Sequence, residues 1–193
     1  CIIKHFCSVL TCKFCAFYCC DNLRSITIPN TVRSIEPSAF VYCDNLEKFS
    51  GRFASTDGRC LIVDGELCAF APAKLTEYAI PAEVTKIGES ALSCLPNIRN
   101  ITMTDSVTSI APSAFENCAS LESVTLSNNI AYVGESAFAT CPELRKFNTE
   151  LSSEDGRMLI INDEVVAFAQ AKINEYTIEE GVKAIGSRVF FGC

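Results

Sequence analysis

The sequence predicts a repeat solenoid, in which a parallel β ladder is joined by short helical or irregular return segments and carries two inserted β-hairpins. Three observations predict it. One apolar anchor recurs at a fixed spacing, each period holds one short alternating stretch of strand length, and a larger superunit returns from Ile35 to Val133, 98 residues on.

The period is read from the anchor. Ile35-Glu36-Pro37-Ser38-Ala39-Phe40 is followed by Cys43 and Leu46. The same order returns at Ile110-Ala111-Pro112-Ser113-Ala114-Phe115 with Cys118 and Leu121, and at Val133-Gly134-Glu135-Ser136-Ala137-Phe138 with Cys141 and Leu144. Anchors at 12 (a cysteine), 35, 87, 110, 133 and 185 are separated by 23, 52, 23, 23 and 52 residues. Since 52 exceeds one period by 29, an insert occurs twice, spanning 49–77 and 147–175. At an offset of 98, Asp57-Gly58-Arg59 matches Asp155-Gly156-Arg157, Ala69-Phe70-Ala71 matches Ala167-Phe168-Ala169, and Glu77-Tyr78 matches Glu175-Tyr176.

Within one period, Leu121-x-x-Val124-x-Leu126 alternates apolar and polar, as a strand with one buried face does. Ile130 and Val133 then point inward from a turn, and Ala137-Phe138 with Cys141 and Leu144 make the return. A coil of 23 residues cannot bury its own apolar face, so coils stack and their strands form a ladder spaced about 4.8 Å apart. In the insert, Leu61-Ile62-Val63, Asp64-Gly65 and Glu66-Leu67 predict a β-hairpin with a two-residue turn at positive φ, and its second copy uses Asn162-Asp163. Both hairpins are expected to project from the solenoid at equivalent places. Residues 1–22 form a degenerate first coil, so the whole of 1–193 is one solenoid.

Composition narrows the function. With 49% apolar and 20% charged residues the chain is globular in balance, and its net charge of −7 comes without any Lys/Arg run. Nucleic acid and anionic lipid surfaces both require clustered positive charge, so neither is expected as a partner. No apolar run approaches the length of a membrane span, and membrane insertion is not expected. Cys1 to Leu10 lack the order of a secretory signal, which implies a removed leader or an excised piece.

Taken together, Leu23, Ser25, Ile26, Thr27, Ile28, Pro29, Val32, Ile35, Ala39, Phe40, Cys43 and Leu46 resemble the BspA-like leucine-rich repeats position by position. The hairpin insert ending in Phe70-Ala71-Pro72 is also similar to inserts of that family. The resemblance covers 23–193 well and 3–22 poorly. It implies a leucine-rich-repeat right-handed superhelix. It further implies a surface or secreted protein, since the family comes largely from anaerobic gut and oral bacteria with relatives in mucosal protozoa. Some members adhere to host matrix proteins such as fibronectin and fibrinogen or co-aggregate with other cells. Fold alone does not transfer a partner.

Thirteen cysteines raise the question of chemistry. Cys20, Cys43, Cys118, Cys141 and Cys193 share one slot that Leu95 fills in the coil of Ile87, which argues for packing over disulfide or metal roles. Cys60 and Cys68 flank the first hairpin with bridging in reach, yet their counterparts are Met158 and Val166. The N-terminal group of Cys1, His5, Cys7, Cys12, Cys15, Cys19 and Cys20 contains a CxxC, but no second one completes a zinc pattern. His5 is the only histidine, so a Cys–His nucleophile would have to use it, and no G-x-S-x-G, phosphate loop or H-E-x-x-H occurs. The sequon Asn100-Ile101-Thr102 matters only in a eukaryotic secretory setting. No enzyme activity, cofactor or metal is expected.

The functional expectation falls on the outward strand row: Ser25, Thr27, Asn100, Thr102, Thr104, Ser123, Thr125 and Ser127. Repeat proteins bind through such broad faces. The structural alternative is that Thr and Ser suit exposed β positions and stack in hydrogen-bonded rows. Arg59 and Arg157 on the hairpins are the second candidate. The expected role is adhesion to a protein or glycan on a host or neighbouring cell, with end-to-end self-association through uncapped repeat ends. The rivals are a display spacer without a ligand and a zinc- or thiol-dependent protein using the N-terminal cysteines.

Overall fold

The computed structural model describes residues 11–193. Two parallel ladders run along the stack. The first contains β2 (Ser25–Ile28) and β4 (Lys48–Gly51), then β7 (Glu77–Ala79), β9 (Asn100–Thr102), β11 (Ser123–Thr125) and β13 (Lys146–Asn148). The second contains β1 (Thr11–Cys12) with β3 (Ser34–Ile35), then β6 (Glu66–Phe70), β8 (Lys86–Ile87), β10 (Ser109–Ile110) and β12 (Tyr132–Val133). It ends on β15 (Glu164–Phe168) and β16 (Ala184–Ile185). Eight second-ladder strands, counted among the described residues, mark eight coils.

Register follows the anchors. Cys12 pairs with Ile35, and Leu67, Ile87, Ile110 and Val133 stand side by side. On the first ladder Tyr78, Ile101, Val124 and Phe147 form the inward column. Burial along β9 alternates exposed, buried, exposed, which places Ile101 in the core and Asn100 and Thr102 outside. Aromatic packing obeys the superunit as well. Phe17 stacks on Phe40 at 4.8 Å and Phe115 on Phe138 at 4.9 Å, while Phe49 and Phe147 meet those stacks edge-on.

The hairpin turns form as expected: Asp64 and Gly65 have φ of 49° and 80°, and Asn162 and Asp163 have 53° and 64°. Their placement differs from expectation. The hairpins β5–β6, with β5 at Cys60–Val63, and β14–β15, with β14 at Met158–Ile161, are built into the second ladder and do not project. Leu67 takes an anchor position beside Ile87, and Val165 does so beside Ile185. The reason is burial: Cys60, Leu61, Leu67 and Phe70 are all in the core, and a projecting two-stranded hairpin would expose them. The first strand of each hairpin is the true insertion. Beyond it, Leu61 bridges back to Ala54 and Leu159 to Ser152, and this interrupts the ladder.

The return segments are turns, and no helix occurs among the described residues. Each return except those after the hairpins holds two left-handed residues four apart, such as Ser90 and Cys94 or Ser113 and Asn117, whereas the returns after β6 and β15 hold one each, Lys74 and Lys172. Their N–H groups bond to the next coil instead of along the chain: Ser90, Leu92 and Cys94 donate to the carbonyls of Pro112, Ala114 and Glu116. Stacking explains the choice. A helix is about 10 Å wide and does not fit a coil-to-coil rise of about 4.8 Å on both faces.

Candidate functional site

The outward face of β7–β9–β11–β13 presents two rows across four strands. One is Glu77, Asn100, Ser123 and Lys146; the other is Ala79, Thr102, Thr125 and Asn148. Ser123 Oγ donates to Asn100 Oδ1 at 2.8 Å, and Asn148 Nδ2 donates to Thr125 Oγ1 at 3.3 Å. Each bond joins neighbouring strands, so part of the row's polarity is spent on the ladder. Thr102 carries no such bond and is exposed. Lys146, Asn148 and Glu77 complete the rows and were not singled out from sequence, because the alternation was read only in coils with small polar residues.

Ser25 and Thr27 are exposed on β2, opposite Lys48 and Ser50 of β4. They belong to a separate patch, because the chain around Gly58 lies next to β4 where β7 would otherwise pair. Phe49 N–H donates to Gly58 O at 2.7 Å, and the second break repeats this from Phe147 to Gly156. Thr104 is half-buried in the turn after β9 and shares a 2.6 Å hydroxyl bond with Ser106, whose own proton goes to Val84 O. Ser127 is not on the face: it is 1% exposed, and its Oγ accepts Asn129 N–H.

The hairpin arginines are tied down. Arg59 Nη1 donates to the carbonyls of Ala71 and Ala73, each at 3.1 Å, and Arg157 Nη1 does the same to Ala169 and Ala171 at 2.9 and 3.1 Å. They hold the segment that follows the hairpin. Around them sits a network that sequence reasoning did not pick out. Asp57 accepts from Ser55 Oγ and Arg59 N–H through one oxygen and from the Tyr78 hydroxyl at 2.9 Å through the other. Asp155 has the counterpart donors Ser153, Arg157 and Tyr176, all on a single oxygen. Burial opposes the charge of Asp57, but the Ser55, Arg59 and Tyr78 bonds outweigh it and hold the carboxyl below its usual range. Since Tyr78 donates to Asp57, the Cys60 thiol 3.4 Å away donates to the Tyr78 oxygen. The signal was available: Ser55, Asp57, Arg59 and Tyr78 all recur at +98.

Three of the five repeat thiols are packed in one way, while Cys20 is half-buried and Cys193 is exposed. Cys43, Cys118 and Cys141 are buried, and each donates to a carbonyl of the preceding coil: Phe17 at 3.0 Å, Leu92 at 3.1 Å and Phe115 at 3.1 Å. Desolvation pushes the thiols of Cys43 and Cys60 up to about 12, the reverse of what a nucleophile requires. Cys12 lies in its anchor slot and is raised to about 11, by burial first and Glu36 second. Cys1, His5 and Cys7 lie outside the described residues. Among the described residues no group of three or more His, Cys, Asp or Glu stands together as metal ligands would.

Stacked coils, an extended polar face on a parallel ladder and thiols used as core donors define a leucine-rich-repeat protein. The BspA type leucine rich repeat region matches residues 4–56, 66–156 and 161–193 in six copies, and the chain belongs to that family. No curated protein matches it. Among solved structures it is similar to a leucine rich cell surface protein of Faecalibacterium prausnitzii, at 25% identity and a TM-score of 0.58, over 77% of this chain and 39% of that one. A leucine-rich repeat protein of Eubacterium ventriosum matches at 23% identity and a TM-score of 0.55, over 68% of this chain and 37% of that one. The pneumococcal vaccine antigen PcpA matches in fold at 16% identity and a TM-score of 0.56, over 87% of this chain and 52% of that one. This chain therefore spans about half or less of the length of each.

Proposed function

We propose that the chain is a non-enzymatic, cell-surface or secreted interaction module that adheres to a host matrix protein or to another cell surface. The observation that carries the reading is the four-strand outward face, where exposed Asn100 and Thr102 stand beside half-buried Ser123 and Thr125 on a rigid ladder. The family and its cell-surface neighbours support the location. The face lacks Trp, Tyr and Arg, the usual anchors of tight interfaces, so a single contact is weak and adhesion is multivalent. Beads coated with the chain test this on host-cell and bacterial layers. Retention that falls at low coating density, and that Thr102→Lys/Thr125→Lys abolishes, is the expected result. Protease treatment of the layer separates a protein receptor from a glycan one.

The display-spacer reading has one observation in its favour, the bonds from Ser123 to Asn100 and from Asn148 to Thr125 that satisfy the row internally. It expects bead retention no higher than that of uncoated beads at every density.

A further inference from the structure

We infer that the receptor of the β7–β13 face is a neutral, β-1,4-linked glycan, one chain of which lies across the four strands. The inference rests on the reading of that face as the binding surface and names the chemistry it takes. On each strand the two outward side chains are separated by one inward residue, so the two rows stand about 6.5 Å apart as walls of a shallow trough. Asn100, Ser123 and Lys146 follow Glu77 on one wall, and Thr102, Thr125 and Asn148 follow Ala79 on the other. The floor is the backbone of Tyr78, Ile101, Val124 and Phe147. The trough has a fixed length. At one end lies the chain's own Ser55–Gly58 turn, where Asp57 accepts the Tyr78 hydroxyl, and at the other Gly156 O accepts Phe147 N–H.

Both walls keep donors and acceptors to offer. Ser123 Oγ donates to Asn100 Oδ1 and Asn148 Nδ2 to Thr125 Oγ1, and among the described residues no other hydrogen bond is made by these four side chains or by that of Thr102. The Asn100 amide N–H groups, the Thr102 and Thr125 hydroxyl protons and the Asn148 carbonyl remain for a ligand. A ligand on such a surface must itself donate and accept at every step, as sugar hydroxyls do. Equatorial hydroxyls project sideways from a pyranose ring toward both walls. An extended β-1,4-linked chain also advances one ring in nearly one ladder step of about 4.8 Å. Its successive rings are turned over, which Asn, Ser and Thr accommodate because each can donate or accept.

Charge selects neutral over acidic sugars. Glu77 and Lys146 stand at opposite ends of one wall, and Arg99 and Arg145 beside it pair with Glu122 and Glu143, each at 3.7 Å. The chain as a whole carries −7. A polyanionic glycan therefore meets no positive row, and a protein partner finds no Trp, Tyr or Arg anchor on either wall.

Isothermal titration calorimetry of cellotetraose into the full chain tests the inference. The expected result is saturable binding, about tenfold or more tighter than that of cellobiose, which reaches two strands, or of maltotetraose, whose α-linked curl leaves the trough. Asn100→Ala/Thr102→Ala weakens it about tenfold or more while melting as the wild type does. Absence of saturable binding overturns the inference, as does equal binding of cellobiose or maltotetraose. Bead retention separates this from the adhesive reading itself. Retention that Thr102→Lys/Thr125→Lys abolishes and excess cellotetraose leaves intact removes the glycan and keeps the face. Retention that the double substitution leaves intact removes the face as well.

Discussion

At the scale of single residues, the cysteines illustrate what spacing does and does not say. Their shared slot indicated packing, and Cys43, Cys118 and Cys141 are indeed core residues. The slot did not reveal the sulfhydryl bond to the preceding coil, because that partner lies 26 residues away and depends on the path of the return. Brief alkylation of the native chain is expected to label exposed Cys19 and to leave Cys43, Cys118 and Cys141 untouched until denaturant is added; mass spectrometry of the labelled peptides checks this. Asp57 and Asp155 make a pH prediction. Each carboxyl titrates lower in the folded chain than in the unfolded one, where the value is about 3.9. Their bonds therefore add stability above that value, and the stability is lost as pH falls through the lower folded value. The melting temperature of the wild type should drop between about pH 5 and pH 3, and the drop should be shallower in Asp57→Asn/Asp155→Asn.

At the scale of elements, strands and turn residues were legible because period-two alternation and Asp-Gly or Asn-Asp pairs reflect local geometry. Placement of the hairpins was not. An excess of 29 residues is equally compatible with a projecting arm and with an added strand, and only the burial of Leu61 and Leu67 separates them. The returns were left open between helical and irregular, because left-handed Ser90, Ser113 and Ser136 carry no glycine to announce them. Gly134 shows how tight these coils are. A Cβ there would stand 2.3 Å from Pro112 N of the preceding coil. Gly134→Ala should therefore destabilise the chain by about 1–3 kcal/mol in urea unfolding. In the hairpin turn, Gly65 combines φ of +80° with a Cβ position 2.7 Å from Thr85 Oγ1. Gly65→Val should cost a similar amount, about 1–3 kcal/mol.

At the scale of the molecule, the 98-residue superunit was the strongest signal in the sequence, and the structure repeats it in hairpins, aromatic stacks and arginine staples. The proposed binding face was partly legible: Asn100, Thr102, Ser123 and Thr125 lie where alternation put them, while Ser127 turned inward to cap the bend at Asn129. The central claim is that this face binds. Surface plasmon resonance of the chain over immobilised fibronectin, fibrinogen and a glycan panel, beside Thr102→Lys/Thr125→Lys, tests it most directly. The account predicts saturable binding to at least one surface that the double substitution weakens about tenfold or more. Equal binding by the variant, or no binding by the wild type to any surface, would contradict it.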